Sequence, residues 1–234
     1  MVLSLINLWR KWASPPAAHP LLLKANDSYN VYEVAKWRAA LQSARYFEER
    51  LLTTLQFADR SALLSHSLSL APQEGLVLEF GVAGGESIRQ IAAERSGPIY
   101  GFDSFEGLPE DWFGYLRKGF FAQDLPKVPA HVSLIKGWFS DTLAGFLANQ
   151  PGPVAFLHVD SDLYSSADYV FRALEGRIVP GTIILFDEYW NYPGWRQHEY
   201  KAFQEFIVRS GLGYRYEGFV PTAHQVCVVI ESGA

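Results

Sequence analysis

The sequence predicts an α/β fold built on a mostly parallel sheet, and three observations predict it. From Gly75 onward, short apolar runs alternate with stretches of helical period, the pattern of strands joined by covering helices. The first run, Leu76–Phe80, passes directly into Gly81-Val-Ala-Gly84-Gly85, a turn where the backbone can bend sharply and admit a close ligand. The last two runs are separated only by Val220–His224, too few residues for a crossover, so they form an antiparallel hairpin.

Taken in order, the chain opens with a Pro/Ala-rich linker, Ser14–Pro20. A long helix is predicted over Val31–Gln56, where Val34, Trp37, Leu41, Ala44, Leu51 and Leu55 recur at threes and fours and mark a face that must bury against something, either as a cap on the core or as a subunit contact or substrate lid. A second helix follows over Ser61–Leu70. Residues 1–72 therefore read as an N-terminal helical extension or cap, and 73–234 as the core. Seven strands are predicted in the core: Leu76–Phe80, Ile99–Asp103, Val132–Lys136, Val154–Asp160, Thr182–Phe186, Tyr214–Phe219 and Gln225–Ile230. Helices are expected over Glu86–Arg95, Asp141–Asn149, Tyr164–Leu174 and Arg196–Arg209.

Composition narrows the function classes. The 234 residues, 49% of them hydrophobic, suffice for one sizeable core. A net charge of −5 without a dense basic run gives nucleic acid no electrostatic footprint. The single cysteine, Cys227, rules out an intramolecular disulfide and suits the cytoplasm. Met1–Trp12 is too short for a signal core, and no run approaches the ~18 apolar residues of a membrane span. The chain reads as a soluble, cytoplasmic protein.

Acidic residues mark the strand ends. Glu79 stands two positions before the first glycine, and Asp103 closes the next apolar run. Carboxylates there suit a ligand with hydroxyls and a positive charge better than one with a pyrophosphate. Further on, Asp160 ends one predicted strand and the pair Asp187-Glu188 follows another, so adjacent strands would bring their side chains to one rim.

Five blocks, in order, resemble one family: Glu79-Phe-Gly81-Val-Ala-Gly84-Gly85, the run Gly101–Pro109, the run Lys136–Leu143, Val159-Asp160-Ser-Asp-Leu-Tyr164, and Pro180-Gly181 leading to Asp187-Glu-Tyr. They look like the macrocin O-methyltransferase family, class I S-adenosylmethionine (SAM) methyltransferases that modify sugar hydroxyls on macrolides and aminocoumarins. The resemblance covers about Leu76 to Phe206. It implies a Rossmann-like class I methyltransferase sheet, seven-stranded with an antiparallel C-terminal strand, whose strand order reverses between the first and fourth strands and leaves a crevice at their carboxyl ends. By the same resemblance Gly81 and Gly85 approach the methionine part of SAM with Glu79 nearby, Asp103 holds the ribose hydroxyls, and Trp138 and Phe139 border the adenine. Val82, Ala83, Ser87 and Ser104 complete the cofactor-binding set.

The carboxylates form the second constellation. Crowded carboxylates repel unless a cation or proton sits between them, and hard oxygen donors point to Mg²⁺, with Mn²⁺ or Ca²⁺ as substitutes. The family pattern implies Asp160, Asp187 and Glu188 as metal ligands, although Glu188 stands where the family has a second aspartate. Asp160 is also the expected general base for a hydroxyl acceptor. His158 reads as an interior histidine and His198 as a surface one. Asp162 and Tyr164 are expected to brace their loop, and Glu110, Asp111 and Asp124 to be solvated.

Pro109–Pro129, carrying Trp112, Phe113, Tyr115, Phe120 and Phe121, is long and aromatic enough for a lid. Tyr189, Trp190, Tyr192 and Trp195 suit either stacking on a sugar or covering the sheet edge. The expected partners are a small hydroxylated acceptor and a second copy of the chain, as a homodimer. Competing readings are a metal-independent methyltransferase, a non-catalytic SAM-binding protein, and an NAD-type oxidoreductase, the last weakened because the glycine turn is not G-x-G-x-x-G.

Overall fold

A computed structural model describes residues 30–112 and 116–233. Met1–Trp12, the Ser14–Pro20 linker, Phe113 and Tyr115 lie outside the described residues. Helix α1 spans Val31–Arg50 and starts at Asn30, whose side-chain oxygen accepts from the backbone N–H groups of Tyr32 and Glu33. It ends six residues before the predicted Gln56. After a turn the chain extends into β1, Leu55–Gln56, which pairs in parallel with a later strand. Helix α2 spans Arg60–Leu70 and is capped by the Asp59 carboxylate on the N–H of Ala62 at 2.9 Å.

The seven predicted strands are all present: β2 Leu76–Phe80, β3 Ile99–Asp103, β4 Val132–Lys136, β5 Val154–Val159, β6 Ile183–Phe186, β7 Gly213–Phe219 and β8 Val226–Glu231. With β1 they form one sheet of order β4-β3-β2-β5-β6-β8-β7-β1, in which only β8 runs antiparallel to its neighbours. Connecting helices are α3 Glu86–Glu94, α4 Phe139–Asn149, α5 Tyr164–Leu174 and α6 Glu199–Ser210, the last preceded by a 3₁₀ turn at Trp195–Gln197. No helix among the described residues is long and apolar enough to cross a membrane.

Strand side chains alternate between two apolar layers because successive residues point to opposite faces. Leu78, Phe80, Leu157, Val159, Ile184 and Phe186 join the layer that also holds Phe171, Phe203 and Phe206. Val77, Phe156, Ile183 and Leu185 join the layer with Leu63, Leu64, Ile88 and Ile91. Both faces of the central strands are thus covered, as continuous apolar runs require. Each fully buried Phe or Leu contributes about 1.5–3 kcal/mol, which fixes strands β2, β5 and β6 in one stack.

The apolar stripe predicted on α1 does not pack within the chain. Val34, Trp37, Leu41, Ala44 and Leu55 do not bury; Trp37 is 71% exposed and Leu41 70%, and only Leu51 of the predicted stripe is interior. Helix α1 instead buries Ala39, Ser43 and Tyr46. Small residues at 39 and 43 let the helix lie close to the segment after β6, where Ser43 Oγ accepts the Asn191 N–H at 3.0 Å. Tyr46 packs edge-on against Trp195 and Tyr200 and hydrogen-bonds the Tyr216 hydroxyl. Close approach and hydrogen bonding selected the face, where periodicity pointed to bulk.

Candidate active site

The sheet order reverses between β2 and β5, and three strand tips stand level there. Asp160 N–H donates to Phe80 O at 2.8 Å, Asp187 N–H to Val159 O at 2.9 Å, and Gly81 N–H to Phe102 O at 2.9 Å. Gly81 adopts φ +93°, and a Cβ on it would lie 1.7 Å from the Asp160 carbonyl oxygen. Its missing side chain is what lets the two tips approach.

A cavity of about 970 Å³ opens over this point. One side is the turn Gly81–Gly84 with Ser87, Asp103, Ser104, Trp138 and Phe139; the other is Asp160, Asp162, Asp187 and Glu188. Of the residues expected at a cofactor, Gly81, Val82, Ala83, Ser87, Asp103, Ser104, Trp138 and Phe139 border the cavity. Glu79 does not border it. Fully buried beneath the turn, it accepts from the Ser87 hydroxyl and lies 2.9 Å from His158 Nδ1, its cross-strand neighbour. Gly85, at φ +77°, caps α3 and packs on Pro126. Asp103 spends much of its acceptor capacity on the chain itself: Oδ2 takes the N–H groups of Val82 and Ala83 at 2.9 and 2.8 Å, and Oδ1 that of Phe105 at 2.7 Å. It therefore shapes the glycine turn, and it also lines the cavity.

The carboxylate rim holds a guest that sequence reasoning missed. Arg60, the first residue of α2, donates from Nη2 to Asp160 Oδ2 at 2.7 Å, and its Nε lies 2.7 Å from Asp187 Oδ1. Buried Leu63, Leu64, Ser67 and Leu68 hold that helix against the sheet, so its first turn arrives at the tips of β5 and β6. No motif announces it: the one available signal is a lone arginine directly after a helix-capping aspartate. Glu199, also missed, is fully buried in the first turn of α6 and accepts from the N–H groups of Ser161, Asp162 and Glu188 at 2.9, 3.2 and 3.2 Å. It ties the two acidic loops together.

Charges around the rim are unequal. Burial opposes ionisation of Asp187, yet the Arg60 charge and then His158 outweigh it and hold the carboxyl at about 2. Burial and the adjacent Asp187 charge push Asp160 up to about 7 against the pull of Arg60. Burial opposes a proton on His158, but its neighbours Asp187 and Glu79 raise it to about 9. Asp162 and Glu188 stand well above the usual carboxylate range, through burial first and then through the surrounding carboxylates. Burial also lifts Glu199 to about 8.

The expected metal set divides. Asp160 and Asp187 lie together with His158, and Asp160 and Glu188 lie together with Asp162, each trio's ligand atoms within 4.8 Å of one another. In the second trio Glu188 is 6% exposed and its Oε2 has no hydrogen-bond partner among the described residues.

The aromatic segments separate as well. Leu108, Pro109, Trp112, Phe120 and Phe121 line the cavity mouth, and Trp112 packs edge-on against Tyr192 and His198. Tyr189, Trp190, Tyr192 and Trp195 are 0–3% exposed and belong to the main core. They cover the sheet; they offer no stacking surface. His158 is interior as expected, whereas His198 is half-buried against these rings, and burial lowers its pKa. Tyr164 braces through Glu205 at 2.7 Å, Glu110 accepts from Ser165 at 2.6 Å, and Asp111 pairs with Arg117 at 2.8 Å.

Comparison with known proteins bears on this site. Residues 78–189, from β2 through the end of the acidic rim, match the profile of a methyltransferase domain. The chain is 30% identical over 141 residues to an 8-demethyl-8-(2,3-dimethoxy-alpha-L-rhamnosyl)-tetracenomycin-C 4'-O-methyltransferase of Streptomyces olivaceus. That match covers 49% of this chain and 53% of the relative, so the chain spans about half the relative's length. Among solved structures the fold is similar to that of CalS11, a calicheamicin methyltransferase, with a TM-score of 0.57 and 21% identity over 84% of this chain and 92% of that one. It is also similar to that of the O-methyltransferase NovP, with a TM-score of 0.56 and 20% identity over 74% of this chain and 79% of that one.

Proposed function

We propose that this chain, whose residues 78–189 match the profile of a methyltransferase domain on a Rossmann-like fold, transfers a methyl group from SAM to a hydroxyl of a sugar-containing or similar small molecule. One observation carries the reading: a single cavity at the β2/β5 switch point has a glycine turn and Asp103 on one wall and a crowded carboxylate rim on the other. The relative named for methylating a rhamnosyl 4'-oxygen supports a sugar hydroxyl as the acceptor group.

The donor wall suits SAM. The turn is free of side-chain bulk at Gly81 and Gly84, Asp103 offers an acceptor at the ribose position, and Trp138 and Phe139 offer apolar area for a base. SAM bound there supplies a methyl group on a sulfonium. Asp160 would take the hydroxyl proton of the acceptor while the methyl–sulfur bond breaks and the methyl passes to the acceptor oxygen. A carboxyl near 7 is matched to that task at neutral pH, since it is substantially ionised yet basic enough to accept. Arg60 fixes one Asp160 oxygen at 2.7 Å and leaves the other for the acceptor. Glu199 keeps the Ser161–Asp162 and Glu188 backbones in register so that the carboxylate does not swing away.

A divalent cation on Asp160, Asp187 and Glu188 together does not fit, because Arg60 already bridges the first two. Asp162 and Glu188, beside Asp160, fit better as oxygen donors, since the Glu188 oxygen is unpartnered among the described residues. Mg²⁺ held there would polarise the acceptor oxygen. The exposed stripe of Val34, Trp37 and Leu41 supports a homodimer.

The test is methyl transfer from SAM to a panel of glycosylated acceptors, read by intact mass with and without a chelator. A mass gain of one methyl on a sugar hydroxyl is expected. Tight SAM binding without turnover on any acceptor would leave a binding protein instead.

A further inference from the structure

We infer that Arg60 is the resident counter-cation of the Asp160–Asp187 pair, standing where a divalent cation would otherwise bridge the tips of β5 and β6, and that Asp187 is consequently not a metal ligand in this chain. The geometry is specific. Two different nitrogens of one guanidinium reach two carboxylates on adjacent strand tips, Nη2 to Asp160 and Nε to Asp187, each at 2.7 Å. One guanidinium can sit against two carboxylates at once, and its charge is what offsets theirs. Asp187 is 6% exposed, and His158 Nε2 lies 3.8 Å from the same oxygen.

A hard cation would need those oxygens at roughly 2.0–2.6 Å, inside the space the guanidinium fills. Two cations cannot share it: at such range like charges in a desolvated site repel strongly. Displacing Arg60 would strand a guanidinium whose side chain is only 22% exposed. The helix holding it is not free to withdraw, since Leu63, Leu64 and Leu68 are buried against the sheet. Arg60 thus acts through Asp160 and Asp187 as a positioning residue, and an N-terminal helix supplies part of the charge balance of the core site.

The inference rests on the carboxylate site of the proposed function but is tested without turnover. Free Mn²⁺ is followed by room-temperature electron paramagnetic resonance while the full chain is titrated, in wild type, Asp187→Asn, Arg60→Gln, Arg60→Lys and the double variant Arg60→Gln/Asp187→Asn. Wild type and Asp187→Asn are expected to bind Mn²⁺ alike, within twofold. Arg60→Gln is expected to bind at least tenfold more tightly than wild type, and adding Asp187→Asn to abolish that gain. Arg60→Lys is expected to keep the wild-type level. A tenfold or greater loss of Mn²⁺ affinity on Asp187→Asn in the wild-type background would overturn the inference, as would a folded Arg60→Gln that gains nothing. The Asp187→Asn comparison decides the matter even if Arg60→Gln does not fold. Failure to find a methyl acceptor would count against the proposed activity and leave these affinities unchanged.

Discussion

Asp160 is the residue on which the proposed chemistry converges, since it faces the cavity and is fixed by Arg60 on one oxygen. Asp160→Asn keeps the size and the hydrogen bond but cannot take a proton. It is expected to lower kcat by about 10²–10⁴-fold while SAM affinity, measured by calorimetry, changes little. The sign of the pH dependence follows: a base must be unprotonated, so kcat/KM should rise as pH passes about 7, the value to which burial and Asp187 push this carboxyl. Because Asp160 and its neighbours titrate together, the limb belongs to the cluster. A flat profile from pH 5.5 to 8.5 would exclude Asp160 as the base. Gly81 makes a second residue-scale case. At φ +93°, with a Cβ position 1.7 Å from the Asp160 carbonyl, Gly81→Ala must push two strand tips apart. It should cost at least about 2 kcal/mol of stability and remove SAM binding, read from denaturant melts and titration of the same sample.

At the scale of elements, the strands were legible and the segment after β6 was not. The strand runs are apolar throughout because helices cover both faces, and that unbroken burial is visible in sequence as Val-Ala-Phe-Leu or Ile-Ile-Leu-Phe. Tyr189, Trp190, Tyr192 and Trp195 have no such period, so ligand surface and core filling looked alike until burial separated them. Their burial predicts how substitution behaves. Trp195, fully buried between Tyr46 and Tyr200, should on change to Ala cost about 3–5 kcal/mol, with acceptor KM little altered in whatever fraction stays folded. A KM rise without a fall in thermal midpoint would return these rings to the substrate. Arg60 and Glu199 were illegible for a different reason. A lone arginine and a first-turn glutamate are common on exposed helices, and only the packing of α2 and α6 on the sheet turns each toward the rim.

For the whole molecule, the N-terminal helices and the core share one structure: β1 extends the sheet beside β7, and α2 sends Arg60 into the cavity. The expected boundary near residue 72 marks where sequence pattern changes, since helical periodicity gives way to apolar runs there. The stripe on α1 reads as a face that buries against something, and since the chain's own interior does not cover it, the subunit contact is the reading that gives it a use. Val34, Trp37 and Leu41 stand three and four residues apart on one face of α1 and remain 53–71% exposed, an apolar stripe of the kind monomers rarely leave open. If a second copy covers it, the double variant Trp37→Ser/Leu41→Glu should convert a dimer to a monomer in sedimentation or light scattering. Its thermal midpoint should be unchanged at high dilution, because neither side chain packs in the chain's own interior. A wild-type chain that is already monomeric at tens of micromolar would sink the dimer, and a variant that melts early as a monomer would show that the stripe is covered from within.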